Sequence, residues 1–203
     1  MKIYHAPETR SLRIIWLFEE LDLPYELETF ALGSPDMRAE DYLKVHPMGR
    51  VPALEDEDVT IFESGAIVEY ILLKHGNGAL LPDQSSPDFA EYLQWLHYAE
   101  GMLMPQVNTI VVEKFFLSEE RRNQVNIDRA TKLLTRMLGA VEQRLEDRDY
   151  LAHEFSGADI MSGHATIVAD RLGADTSDKP KVAAYIERLK ARPALQAAYA
   201  AAT

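Results

Sequence analysis

Residues 49–65 read Gly49-Arg50-Val51-Pro52-Ala53-Leu54-Glu55-Asp56-Glu57-Asp58-Val59-Thr60-Ile61-Phe62-Glu63-Ser64-Gly65. A short apolar run ends in Val51-Pro52-Ala53-Leu54. An acidic turn covers Glu55 to Asp58, and a second short run spans Val59 to Phe62. Glu63-Ser64-Gly65 then opens an apolar helical pattern. Two short runs around a polar turn predict a β-hairpin. It feeds a helix whose first turn carries a carboxylate and a hydroxyl. Pro52 has no N–H to give to a sheet, which suits the start or edge of a strand. Ser64 either caps its own helix or offers its N–H and hydroxyl to an anion at the positive end of the helix dipole.

On the N-terminal side, residues 2–5 form a short candidate strand. Thr9 or Ser11 is placed to cap a helix that begins with Leu12, Ile15, Trp16 and Phe18. Leu23-Pro24 ends it. Tyr25 to Leu32 alternates, with Tyr25, Leu27 and Thr29 on one face and Glu26 and Glu28 on the other. A loop at Gly33–Asp36 and a short helix near residues 38–44 lead to the hairpin, and a helix runs from about residue 64 to 75. The order β-α-β-α-β-β-α predicts a small mixed sheet with helices on both faces, the order of the thioredoxin-like fold. An α/β domain is expected over residues 1–80.

Gly76-Asn77-Gly78 stops the last of these helices, and residues 81–87 read as a linker. Beyond it the strong patterns are helical: 87–116, 119–146, 157–172, 179–191 and 193–202. An all-α helical bundle domain is therefore expected over residues 88–203. Within it, Ser156-Gly157-Ala158-Asp159 fits a capping box with Asp in place of the usual Glu or Gln. That role is structural, and losing Asp159 is expected to cost roughly 0.5–2 kcal/mol.

The chain has 203 residues, a net charge of −12 and no cysteine. Disulfides and a protein-borne thiol nucleophile are excluded. The acidic balance argues against a nucleic-acid surface. No apolar run approaches about 18 residues, so no membrane span is expected. The first residues lack the apolar stretch of a signal peptide, and a cytoplasmic location is expected. The histidines show no paired metal spacing, so no metal is expected. An anionic ligand would need a local basic cluster, and Arg10, Arg13, Arg38, Lys44 and Arg50 all lie in the first fifty residues.

The Val51-Pro52 pair, with Glu63-Ser64 after the acidic turn, resembles the glutathione-binding half of the cytosolic glutathione S-transferase family. The resemblance implies a cis bond before Pro52, with Val51 pairing its backbone to glutathione like an added strand. It implies Glu63 on the γ-glutamyl ammonium, Ser64 on the adjacent carboxylate and Arg50 near the glycine carboxylate. His46, Lys44 and Arg38 are secondary candidates. Glutathione would be the co-substrate.

Such an enzyme needs the thiolate, whereas a free thiol titrates near about 8.5. The family's activating group follows the first strand. Thr9-Arg10-Ser11 resembles a bacterial and fungal branch whose members often read Ser-Arg-Ser or Ser-Arg-Ala there; on that match Thr9 takes the hydroxyl position, one methyl group away from the commoner Ser. A second alignment puts Arg10 in that position. Thr9, Ser11 and Arg10 all remain candidates, beside the plain reading that a hydroxyl caps the helix. The resemblance places a hydrophobic electrophile between the two halves, near Tyr98 and Met102, which at helical spacing also suit an ordinary core.

The implied activity is conjugation of glutathione to that electrophile, a detoxification chemistry, by a homodimer. Alternatives are glutathione-dependent peroxide or disulfide reduction, a non-enzymatic interaction module of the same fold, and a carrier of apolar ligands.

Overall fold

A computed structural model describes residues 1–203. The chain divides into two compact units, residues 1–81 with 190–203, and residues 82–189.

The first unit begins with β1 (Lys2–His5), α1 (Leu12–Glu20) and β2 (Glu26–Thr29). A 3-10 turn at Pro35–Arg38 precedes α2 (Glu40–Val45). The hairpin β3 (Ala53–Asp56) and β4 (Val59–Phe62) leads into α3 (Ser64–Lys74). The sheet order is β2-β1-β3-β4, with β1 parallel to β2 and the other pairs antiparallel. This is the thioredoxin-like arrangement. β2 is shorter than the alternating stretch at residues 25–32, because its partner β1 offers only Lys2 to His5 for pairing. Tyr4, Phe30, Tyr42, Met37 and Ala53 pack into one buried cluster. Its rings lie 4.6 Å (Phe30–Tyr42) and 5.2 Å (Tyr4–Tyr42) apart, within the range of favourable aromatic contact.

In the second unit a helical path runs without a break from residue 88 to 116. It comprises α4 (Asp88–Tyr98), a π turn at Ala99–Leu103, α5 (Met104–Val111) and a second π turn at Val112–Phe116. The first π turn lies just ahead of Pro105, which has no N–H to continue the regular ladder. The stretch expected as one helix from 119 is interrupted. Residues 119–121 form a 3-10 turn, and α6 (Gln124–Arg144) starts afresh at Asn123. The Asn123 side chain accepts from the N–H of Val125 (3.0 Å) and Asn126 (3.3 Å), a true N-cap. A π turn at Asp159–Gly163 leads into α7 (His164–Arg171), followed by α8 (Pro180–Lys190).

The Ser156–Asp159 motif does more than cap. Asp159 is fully buried and accepts four hydrogen bonds: from Leu151 N–H (3.0 Å), Tyr185 O–H (2.7 Å), Ser156 N–H (2.9 Å) and Ser156 O–H (3.2 Å). Burial pushes its carboxyl up to about 6 against the pull of these donors. Gly163 sits against the same tyrosine, where a Cβ would lie 2.8 Å from Tyr185 Oη and 2.5 Å from Leu189 Cδ1. The cost expected from a simple cap is therefore too low for Asp159.

The last helix, α9 (Pro193–Ala201), packs on α1. Residues 190–203 thus group with the first unit rather than with the helical stretch that precedes them in sequence. Leu195 and Ala198 are buried. Arg192 makes a two-point ion pair with Glu20, Nε–Oε1 at 2.6 Å and Nη2–Oε2 at 2.7 Å, and Trp16 Nε1 donates to the same carboxylate at 2.8 Å. With helices against it on more than one side, α1 buries every residue from Leu12 to Phe18, Arg13 included.

Candidate functional site

Strand register collects the segments singled out above at one end of the sheet. Tyr4 lies opposite Ala53, and Ala53 opposite Phe62. The chain leaving β1, the chain arriving at β3 and the chain leaving β4 therefore meet. These are His5–Ser11, Arg50–Pro52 and Glu63–Ser64. The Val51–Pro52 bond is cis. Val51 is half-buried, and its backbone takes part in neither the strand ladders nor the loop hydrogen bonds.

Glu63 is exposed and holds a backbone φ of +76°. Such a φ is uncommon for a residue with a Cβ and concentrates at functional positions. It turns the chain directly from β4 into α3. The first regular bond of α3 runs from Ile67 N–H to Glu63 O at 2.9 Å, and no side chain caps this end. The N–H groups of Ser64, Gly65 and Ala66 therefore lie at the positive pole of the helix.

Ser64 is buried, and its hydroxyl does not cap its own helix. It accepts from the guanidinium of Arg13, Nη1–Oγ 3.1 Å. In the sequence Arg13 stands out only as one member of a basic cluster. Its signal was there: a single charge inside the apolar run Leu12-Arg13-Ile14-Ile15-Trp16-Leu17-Phe18, where an arginine is buried only for a specific partner.

Arg50 is exposed, and its carbonyl accepts from the Tyr42 hydroxyl. His46 is buried and packs against Phe62, the two rings tilted by 32° with centroids 4.6 Å apart. Burial pushes its imidazole below the usual value, Glu63 pulls it up and Arg50 pushes it down. Both charges therefore lie within electrostatic reach of one ring. Gly49, at φ +55°, passes so close to the loop before α2 that a Cβ would sit 2.1 Å from Met37 O. Arg38 Nη1 donates to Met48 O at 2.7 Å and so braces this loop. Lys44 is paired with Asp41 at 2.7 Å on the exposed face of α2.

The two hydroxyls after β1 separate clearly. Ser11 is fully buried; its Oγ lies 2.7 Å from His5 Nδ1 and 2.6 Å from Thr9 Oγ1. Thr9 and Arg10 are half-buried on the loop itself. Tyr4 belongs to the core, where its hydroxyl donates to Glu55 at 2.9 Å.

In the second unit, Tyr98 O–H donates to Met137 O at 3.0 Å, and Met102 is 42% exposed on the π turn. No group of three or more His, Asp or Glu is placed to hold a metal ion. No helix is long and apolar enough to cross a membrane.

Residues 1–72 match the model of the glutathione S-transferase N-terminal domain, and residues 103–193 that of the C-terminal domain. Glutathione S-transferase 4 of Zea mays is 34% identical over 188 residues, covering 90% of this chain and 83% of that protein. The disulfide-bond oxidoreductase YfcG of Escherichia coli is 28% identical, covering 95% and 91%. The crystal structure of a glutathione transferase from Burkholderia graminis, with two glutathione molecules bound per subunit, superposes with a TM-score of 0.86 at 26% identity, covering 98% of this chain and 86% of that one. Two domain matches over most of the sequence and a relative at this identity make the chain a member of the glutathione S-transferase family.

Proposed function

We propose that this chain binds glutathione at the end of the sheet where Val51, Glu63 and Ser64 meet, and conjugates it through its sulfur to a hydrophobic electrophile. One observation carries the reading: α3 begins without a side-chain cap, and the Ser64 hydroxyl is held by a buried guanidinium. A helix start built this way has N–H donors and positive charge to offer a carboxylate. Glu63 lies beside it to receive the ammonium of the same amino acid. Val51 offers an unused N–H and C=O to an extended peptide. Arg50 reaches the peptide's far carboxylate.

In this reading the chain lowers the thiol's pKa with groups on the β1–α1 loop. Thr9 is the hydroxyl that meets the sulfur, because Ser11 is buried and engaged. Arg10 adds positive charge to the same loop. The remaining work is holding sulfur and electrophile in contact. The working form is proposed to be a two-fold dimer.

The resemblance to the Escherichia coli disulfide-bond oxidoreductase favours a second reading, glutathione-dependent disulfide reduction. With no cysteine in the chain, both thiols of such an exchange would come from small molecules. Calorimetric titration with glutathione, followed by parallel assays with an aryl halide and a low-molecular-weight disulfide, tests both. Conjugation of the aryl halide supports the first reading, and turnover of the disulfide alone supports the second. Binding of apolar compounds without turnover identifies a carrier. Absence of glutathione binding at millimolar concentration removes all glutathione-dependent readings and leaves an interaction module or, where apolar compounds bind, a carrier.

A further inference from the structure

Thr9, Ser11 and His5 form a chain of contacts that ends at Ala202. Ala6 O and Thr9 Oγ1 are 2.7 Å apart, Thr9 Oγ1 and Ser11 Oγ 2.6 Å, and Ser11 Oγ and His5 Nδ1 2.7 Å. His5 Nε2 lies 3.1 Å from the carbonyl oxygen of Ala202, just past α9. A carbonyl only accepts, so this contact fixes the ring proton on Nε2 and leaves Nδ1 of the neutral imidazole as an acceptor. Two backbone N–H groups, Ala6 to Ser11 Oγ and Ser11 to Thr9 Oγ1, add longer contacts of 3.4 Å each.

Counting protons exposes an imbalance. The three short contacts between Ala6 O and His5 Nδ1 each need one proton between their heavy atoms. The two hydroxyls supply two. The neutral ring supplies none on this side. The network is one proton short, and every contact is made only when Nδ1 is also protonated. His5 is fully buried. Burial holds its pKa below the usual 6.5, partly opposed by the Ala202 carbonyl, so at neutral pH the ring is uncharged and becomes cationic only where a nearby anion compensates it.

We infer that Thr9, Ser11 and His5 are a proton relay that takes the proton of a bound thiol to His5 Nδ1. The inference rests on the glutathione reading above. Thr9 Oγ1 receives the proton as the S–H bond breaks. Thr9 passes its own proton to Ser11, and Ser11 passes its proton to Nδ1. The balance is thiol plus imidazole giving thiolate plus imidazolium, with no other reactant. Thr9 then turns its new proton from the Ala6 carbonyl towards the sulfur, and the imidazolium supplies the charge that offsets the thiolate. His5 never touches the substrate; it acts through two hydroxyls, and α9 positions it.

The test is nitrogen NMR of the histidine side chains in the full-length protein, with His5 assigned by His5→Asn. Spectra are recorded alone, with glutathione, and with S-methylglutathione, which binds through the same groups but has no thiol proton. The expected result is a neutral His5 alone and with S-methylglutathione, and a doubly protonated His5 with glutathione. Ser11→Ala should keep His5 neutral and raise the pKa of the bound thiol by about one unit, a tenfold change in its ionisation constant. Glutathione binding, seen as shifts at the Val51 and Ser64 amides, with His5 still neutral overturns the relay alone. Protonation of His5 by S-methylglutathione also overturns it, since no thiol proton is then involved. No shift at Val51, Ser64 or His5 overturns the binding reading and the relay with it. The wild-type spectra decide the matter even if the Ser11 variant does not fold.

Discussion

Around Asp159, in the second unit, one carboxylate meets four donors, and the polar groups that surround it are consumed by one another. Around Ser64, in the first unit, a buried guanidinium steadies a helix start whose own N–H groups are left over, beside an acid held at positive φ and a Val51 backbone with no partner. Both places bury polar chemistry at a helix start. One network is closed and the other is open. A closed network stabilises and specifies the fold. An open one costs stability unless something else completes it, so its survival points to a ligand. The two aspects of Asp159 that suggest a functional acid, burial and a raised pKa, belong to the closed network and therefore argue for structure rather than catalysis.

The largest expected effect is at the closed end. Asp159→Ala strands the donors of Leu151, Ser156 and Tyr185 in the interior, and at roughly 1–3 kcal/mol for each unsatisfied group it should destabilise by about 4 kcal/mol. The denaturant midpoint measures this. A loss below 1 kcal/mol would show that the site is wetter than its burial implies.

The same carboxylate sets a pH dependence. Its folded pKa of about 6 lies above the unfolded value of 3.8. Between these values the folded state binds more protons, so its contribution is greatest below 3.8 and declines as pH rises to about 6. The decline is on the order of 3 kcal/mol, and Asp159→Asn should abolish it. Asp56 runs the other way. Burial works against its charge too, but bonds from His75 (2.7 Å), Lys74 (3.0 Å) and Tyr70 (2.8 Å) overcome it and hold the carboxyl below the usual range. Its contribution is present above 3.8 and is lost as pH falls further. Donors without a cation around Asp159, and a set that includes the Lys74 ammonium around Asp56, thus give two buried carboxylates opposite slopes. Unfolding measured against pH for Asp159→Asn and Asp56→Asn separates them.

At the open end, substitutions should change ligand chemistry more than stability. Thr9→Ala should lower turnover roughly hundredfold, the usual scale for one donor to a developing anion, with glutathione affinity changed less than threefold. Steady-state kinetics beside calorimetry reads both. An equal loss in affinity would make Thr9 a binding group instead.

The order and kind of nearly every element were legible in residue spacing, because short amphipathic segments with clear breakers leave few alternatives. Val51-Pro52 and Glu63-Ser64 were legible for the same reason: each sits where a strand begins or ends. Arg13 and His5 were not assigned roles. Their partners, Ser64 and Ala202, are brought near by packing of α1 on α3 and α9, which no local pattern encodes. The different surroundings of Thr9 and Ser11 were equally out of reach, since burial of Ser11 and its contact with His5 come from packing. The grouping of α9 with the first unit comes from its packing on α1, with Leu195 and Ala198 buried, and from the Arg192–Glu20 pair, all between residues far apart in sequence.

The central claim is that the open network at Ser64 is completed by glutathione. Calorimetric titration of glutathione into the wild type and into Glu63→Ala/Ser64→Ala tests it most directly. The account predicts binding by the wild type and at least tenfold weaker binding by the variant, about 1.4 kcal/mol, with the folded state retained. Equal affinity in the two proteins, or no binding by the wild type at millimolar glutathione, would contradict it.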